Sequence, residues 1–261
     1  MKLRVWLAGA GLAAVVGLVP AEGQPTPPTG YLASAQLPNS LTLLPPPPAK
    51  GSAAEKRDQA GAKAALALHG GPRWDQATED AVLTFPQAAG TFSCALGAPV
   101  TEAGTPALYR LLRRSLSDMG RAPYPTKTKY QRQRPFMVNG KPQCSPALDA
   151  ALRKDGSYPS GHAAIGWGWA LILAEVAPDK ADAILARGRA FTDSRRICNV
   201  HWTSDVEEGR MMGAAVVSRL HDSADFRADL AAARSELAAV RAQGAAPSRD
   251  CAQEAARLAA G

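Results

Sequence analysis

Apolar positions divide this chain into a short leader, a proline-rich stretch and a long series of helix-length blocks. Val5 to Val19 is an unbroken run of apolar residues and glycine behind a basic start, Lys2 and Arg4. Fifteen residues fall short of the roughly 20 needed to cross a bilayer. With the small residues around Val19-Pro20-Ala21, the pattern predicts a cleaved secretory signal over 1–21. Residues 22–50, with Pro45-Pro46-Pro47-Pro48, predict an extended arm lying across the surface.

Helical periodicity begins after Ser52. Residues 53–69 and 74–83 alternate charge with Ala and Leu at a 3.6-residue spacing. Pro106 suits the first turn of a helix reaching Met119, and Pro123 and Pro125 break the chain just beyond it. A loop-like stretch rich in Gly, Pro and Asn leads to Ser157. Further helices are predicted from Ser160 to Val176, where Pro178 marks the end, from Lys180 through Asn199, from Thr203 to Asp222, and over 224–243. No internal repeat and no convincing strand interrupts the series. The expectation is an all-α domain over 51–245, with a C-terminal tail over 246–261.

Composition narrows this further. With 46% hydrophobic and only 6% aromatic residues, the helices must pack closely on small side chains in one core. The formal charge is +7, and +5 without Lys2 and Arg4, a field that favours anionic substrates. No basic stripe interleaved with aromatics is visible, so nucleic acid is not an expected partner; nor, after the leader, is a membrane. Four cysteines, Cys94, Cys144, Cys198 and Cys251, suit two disulfides in an exported protein and allow three pairings. Their wide spacing, with no CxxC and no HxxxH, speaks against zinc. No metal and no cofactor is expected.

Three clusters carry candidate chemistry. Lys127 precedes Arg134-Pro135 by seven positions; Pro159-Ser160-Gly161-His162 stands at a helix start; Ser194-Arg195 comes shortly before His201 and Asp205. Guanidinium groups hold two phosphoryl oxygens at once and lysine adds a point charge, so Lys127, Arg134 and Arg195 suit a phosphoryl group. Ser160 and Gly161 sit where unpaired backbone N–H groups face an anion. His201 and Asp205 are four apart, one turn if helical, so the carboxylate can fix one ring nitrogen as N–H and leave the other free to attack phosphorus. His162 is then the general acid for the leaving oxygen. His69 reads as a helix-end residue, His221 as surface or packing, and Trp167 and Trp169 as core. Tyr130, inside the cationic cluster, is a candidate for the pocket mouth.

Together the clusters match the pattern K-x6-RP, PSGH and SR-x5-H-x3-D at every specified position, and the chain resembles the PAP2 (type 2 phosphatidic acid phosphatase) superfamily. It is similar above all to the bacterial class A non-specific acid phosphatases. LLPPPPAKGS around Pro45, GSYPSGHAAIGWGWALILAE around His162 and SRRICNVHWTSDVEEGR around His201 carry the likeness over about 40–240. The resemblance implies an all-α helical core of the type shared with vanadium haloperoxidases and a periplasmic location. It also implies metal-independent hydrolysis of many small phosphomonoesters through a phosphohistidine. Phosphotransfer to alcohols and a homodimer are further expectations. It would make His201 the nucleophile, Asp205 its partner and His162 the acid, with Lys127, Arg134, Ser160, Gly161 and Arg195 around the phosphate. For the cysteines, Cys144 in the loop after the first cluster and Cys198 just before His201 predict a Cys144–Cys198 bridge, leaving Cys94 with Cys251.

Overall fold

The structure, a computed structural model, describes residues 29–261; the expected leader over 1–21 lies outside them. Among the described residues there are thirteen α-helices and no strand. They are α1 (Ser40–Leu43), α2 (Ala53–Leu66), α3 (Pro72–Asp80), α4 (Ser93–Leu96), α5 (Pro106–Arg121), α6 (Tyr124–Tyr130) and α7 (Pro135–Asn139), then α8 (Asp149–Lys154), α9 (Gly161–Val176), α10 (Ala181–Ile197), α11 (Thr203–Leu220), α12 (Ala224–Ala242) and α13 (Cys251–Leu258). The all-α expectation holds.

Helix α9 is the centre because it is apolar on every side. Trp169, Ile172 and Leu173 are fully buried, with α10 and α11 packed along it and α5 and α12 behind. Close approach depends on missing side chains. A Cβ at Gly213 of α11 would lie 2.4 Å from the Ala164 carbonyl oxygen, and one at Gly209 would lie 2.5 Å from that of Ser160. Such contacts let α11 press directly on the backbone at the start of α9, which is how the second and third sequence clusters meet. Trp169 satisfies its indole N–H on the Leu112 carbonyl at 3.0 Å, so it is core.

The chain before α2 is partly extended and partly helical, and it is pinned. The Tyr31 and Leu32 amides donate to the Asp118 carboxylate at 2.7 and 3.2 Å, and the Tyr31 hydroxyl donates to Asp229 at 2.8 Å. At the other end, α13 is a helix the periodicity did not announce. Cys251 at its start pairs with Cys94, and its Glu254 reaches Arg187 of α10 at 3.3 Å. Cys144 pairs with Cys198. Both pairings are the expected ones, and the second ties the loop after α7 to the end of α10.

Candidate active site

The three clusters converge on one cavity of about 200 Å³, lined by Lys127, Arg134, Gly161, His162 and His201 together with Leu83, Gly120, Tyr124, Leu152, Asp155 and Ile165. Arg195, fully buried, stands close enough to act on both histidines.

His201 sits in the turn between α10 and α11, where the predicted helix bounds at Asn199 and Thr203 leave it. Asn199 adopts φ 59° to turn the chain after Ile197, and its side chain is held by Asn139 and by the Lys141 and Pro142 carbonyls. Asp205, in the first turn of α11, reaches back: its Oδ2 accepts from the Trp202 amide at 2.9 Å and faces His201 Nδ1 at 3.4 Å. The opposite ring nitrogen, Nε2, is 3.0 Å from Arg134 Nη1. A guanidinium only donates, so Nε2 is the acceptor and Nδ1 carries the proton. The lone pair that nucleophilic attack requires therefore points at the cation cluster.

Asp205 is itself held from a distance the clusters did not signal. Arg132 donates to Asp205 Oδ1 at 2.6 Å and to Asp58 Oδ2 of α2 at 2.7 Å, while Asp58 accepts the Ser204 amide at 2.8 Å and its hydroxyl at 2.6 Å. Both carboxylates are fully buried. Burial pushes the Asp205 carboxyl up, and Arg132 pulls it back toward the ionised form.

The cations are unequally satisfied. Arg134 Nε donates to the Leu152 and Asp155 carbonyls at 2.9 and 3.2 Å, Nη1 also donates to the Val200 carbonyl at 3.0 Å, and Nη2 donates to Asp155 Oδ2 at 3.1 Å. Lys127 Nζ donates to the same Asp155 Oδ2 at 3.1 Å and to the Gly156 carbonyl. Burial, reinforced by Arg134, lowers the Lys127 ammonium to about 8. Arg195 by contrast leaves Nε and Nη2 without a hydrogen-bond partner although it is fully buried. Burial and Arg134 push its pKa down, yet a guanidinium stays charged through acid and neutral pH. An unpaired buried cation is costly unless an anion completes it.

Its helix is braced from behind. Ser194 donates to Asp80 of α3 at 2.6 Å, and Arg187 donates to the same carboxylate at 2.6 and 3.3 Å.

His162 is half-buried at the second position of α9, and its Nε2 donates to the Ala81 carbonyl at 3.1 Å. A carbonyl only accepts, so Nδ1 is the nitrogen left for chemistry. Burial, then Arg195, holds its pKa well below the ordinary histidine range; burial, then Arg134 and Lys127, does the same to His201.

Ser160 is held in the turn at the start of α9. Fully buried, it is the N-cap of α9: its Oγ accepts the Ala163 amide at 3.2 Å, and its own amide donates to the Asp205 carbonyl at 2.8 Å. The residues of this turn that line the cavity are Gly161 and His162, whose amides belong to the unpaired first turn of α9. Tyr130 packs edge-on against Tyr158, and the exposed aromatic on the cavity rim is Tyr124. His69 lies against Trp74, and His221 bonds Glu175 at 3.1 Å, both away from the site. Among the described residues no three His, Cys, Asp or Glu side chains cluster as metal ligands.

A family model described as the PAP2 superfamily matches residues 116–227. A non-specific acid phosphatase of Providencia stuartii is 40% identical over 238 residues, covering 90% of this chain and 96% of that protein. An acid phosphatase of Zymomonas mobilis is 41% identical over 211 residues, covering 79% and 78%. A non-specific acid phosphatase of Salmonella typhimurium is 40% identical over 199 residues, covering 76% and 80%.

Proposed function

The chain belongs to the PAP2 superfamily and, within it, to the non-specific acid phosphatases, and on that premise we propose that it hydrolyses a broad range of phosphomonoesters through a phosphohistidine on His201. The observation that carries the reading is the direction of the His201 ring. Nδ1–H faces Asp205, and the Nε2 lone pair faces the cavity where Lys127 and Arg134 meet.

In the proposed first step the Nε2 lone pair attacks phosphorus and a P–N bond forms as the P–O bond to the leaving group breaks. The leaving oxygen takes a proton from His162 Nδ1. Lys127, Arg134 and Arg195, with the Gly161 and His162 amides, hold the equatorial oxygens. In the second step water gives a proton to His162 and its oxygen displaces His201, releasing phosphate. An alcohol in place of water would give phosphotransfer by the same step.

The low His162 pKa favours this first step in acid. The imidazolium that donates the proton is populated only below that pKa, unless a bound phosphate dianion raises it. Export to the periplasm is part of the proposal, supported by the leader pattern over 1–21 and by two cysteine pairs that suit an oxidising compartment.

The test is phosphate release from a panel of phosphomonoesters by the purified protein, across pH and in excess EDTA. Activity at acid pH that survives EDTA is expected. Activity lost to EDTA and restored by zinc or magnesium would refute the mechanism.

A further inference from the structure

The cavity already contains an anion. One oxygen of Asp155, Oδ2, lies 3.1 Å from both Lys127 Nζ and Arg134 Nη2, bridging the two cations as a phosphoryl oxygen would. We propose that Asp155 is a specificity-determining residue that competes with the substrate phosphoryl group for Lys127 and Arg134, so that binding requires its carboxylate to rotate out. This rests on the reading that those two cations receive phosphate.

Three features support displacement over a fixed supporting role. First, the cations do not need the carboxylate to hold their places. Without it Lys127 keeps the Gly156 carbonyl, and Arg134 keeps the carbonyls of Leu152, Asp155 and Val200. Second, the carboxylate has somewhere to go, since the Asp155 side chain is 34% exposed on the cavity wall just past the end of α8. Third, the main chain beside it is wedged. A Cβ on Gly156 would stand 2.7 Å from the Lys127 carbonyl oxygen and 3.2 Å from Gln131 Cα. The backbone therefore stays and a side-chain rotation suffices.

The consequence is a site loaded by exchange. A ligand must supply at least as much negative charge to Lys127 and Arg134 as the departing carboxylate withdraws, while Arg195 waits unpaired. Phosphomonoesters meet that condition better than singly charged phosphodiesters. Asp155 in this way adds discrimination by charge at the cost of affinity.

Removing the charge while keeping the shape should tighten binding. By calorimetry with inorganic phosphate, Asp155→Asn should bind about tenfold more tightly than the unaltered protein, the scale of one neighbouring charge. Asp155→Ser, which also cannot bridge the cations as an anion, should shift in the same direction. KM for a phosphomonoester should fall alongside, with no rise in kcat, because phosphate leaves more slowly. Equal or weaker phosphate binding in folded Asp155→Asn and Asp155→Ser would overturn the proposal, provided that Lys127→Met still abolishes binding. Phosphate binding that ignores Lys127→Met would instead overturn the phosphate site itself, and the proposal with it.

Discussion

On the side of the cavity that holds His201, the ring contacts Asp205 and Arg134, and Asp205 is held in turn by Arg132, which Asp58 shares. On the side of His162, that ring has a single carbonyl partner, and behind the lining the Arg195 guanidinium is buried with two nitrogens unpartnered. The first wall is built to fix one orientation of one nitrogen. The second is left incomplete, and in the proposed mechanism the phosphoryl group of the substrate completes it. Orientation can be established before a substrate arrives, whereas charge neutralisation is useful only when the substrate supplies the charge.

This contrast breaks first at His201. His201→Ala should abolish turnover of every phosphomonoester, since the proposed mechanism has no phosphoenzyme without the Nε2 lone pair, and kcat for p-nitrophenyl phosphate and for glycerol phosphate measures it. His162→Ala should behave differently because its role depends on the leaving group. For glycerol phosphate, whose alkoxide must be protonated, kcat/KM should fall by about 10²–10⁴-fold. For p-nitrophenyl phosphate the loss should be clearly smaller, and equal losses would reject the acid role.

Arg132 sharpens the comparison from behind the fixed wall. Arg132→Met leaves two fully buried carboxylates without their shared cation, a change that costs about 3–5 kcal/mol of stability for a broken buried pair. It should also lower kcat by about 100-fold through misplacement of the nucleophile. Arg132→Lys keeps the charge but not the planar fork, so it should recover part of the stability and less of kcat. A kcat that falls no further than stability explains would confine Arg132 to folding.

The smallest effect belongs to Lys127. Lys127 is charged below about 8 and neutral above it. Inhibition by sulfate, a dianion that does not itself titrate here, should therefore weaken above pH 8, by at most about tenfold per pH unit. Lys127→Arg, which stays charged, should flatten that profile.

The fixed wall and the incomplete wall were not equally legible in the sequence. Lys127, Arg134, His162, Arg195, His201 and Asp205 could be read because each lies in a short cluster whose spacing is local. The central helix α9 could be read because ten of its residues are buried and it opens at an N-cap serine. Asp58 could not. It reaches Arg132 from 74 positions away and Ser204 from 146, and in sequence it is one charge on an amphipathic helix. Asp155 was hidden likewise, since an acidic residue at the end of a short helix has no periodicity to mark it. The turn that carries His201 was legible as the gap between two predicted helices, but the reach of Asp205 back across it, to the Trp202 amide and to His201, was not. Helix α13 is only eight residues long and is held by Cys251 and Glu254, contacts that exist only after folding.

The most direct measurement of the central claim is rapid acid-free quench of the enzyme during turnover of labelled substrate, with mapping of the phosphopeptide. An alkali-stable, acid-labile label on the peptide containing His201, absent from His201→Ala, is the expected result. Label on any other residue, or label that persists in His201→Ala, would contradict a phosphohistidine at His201.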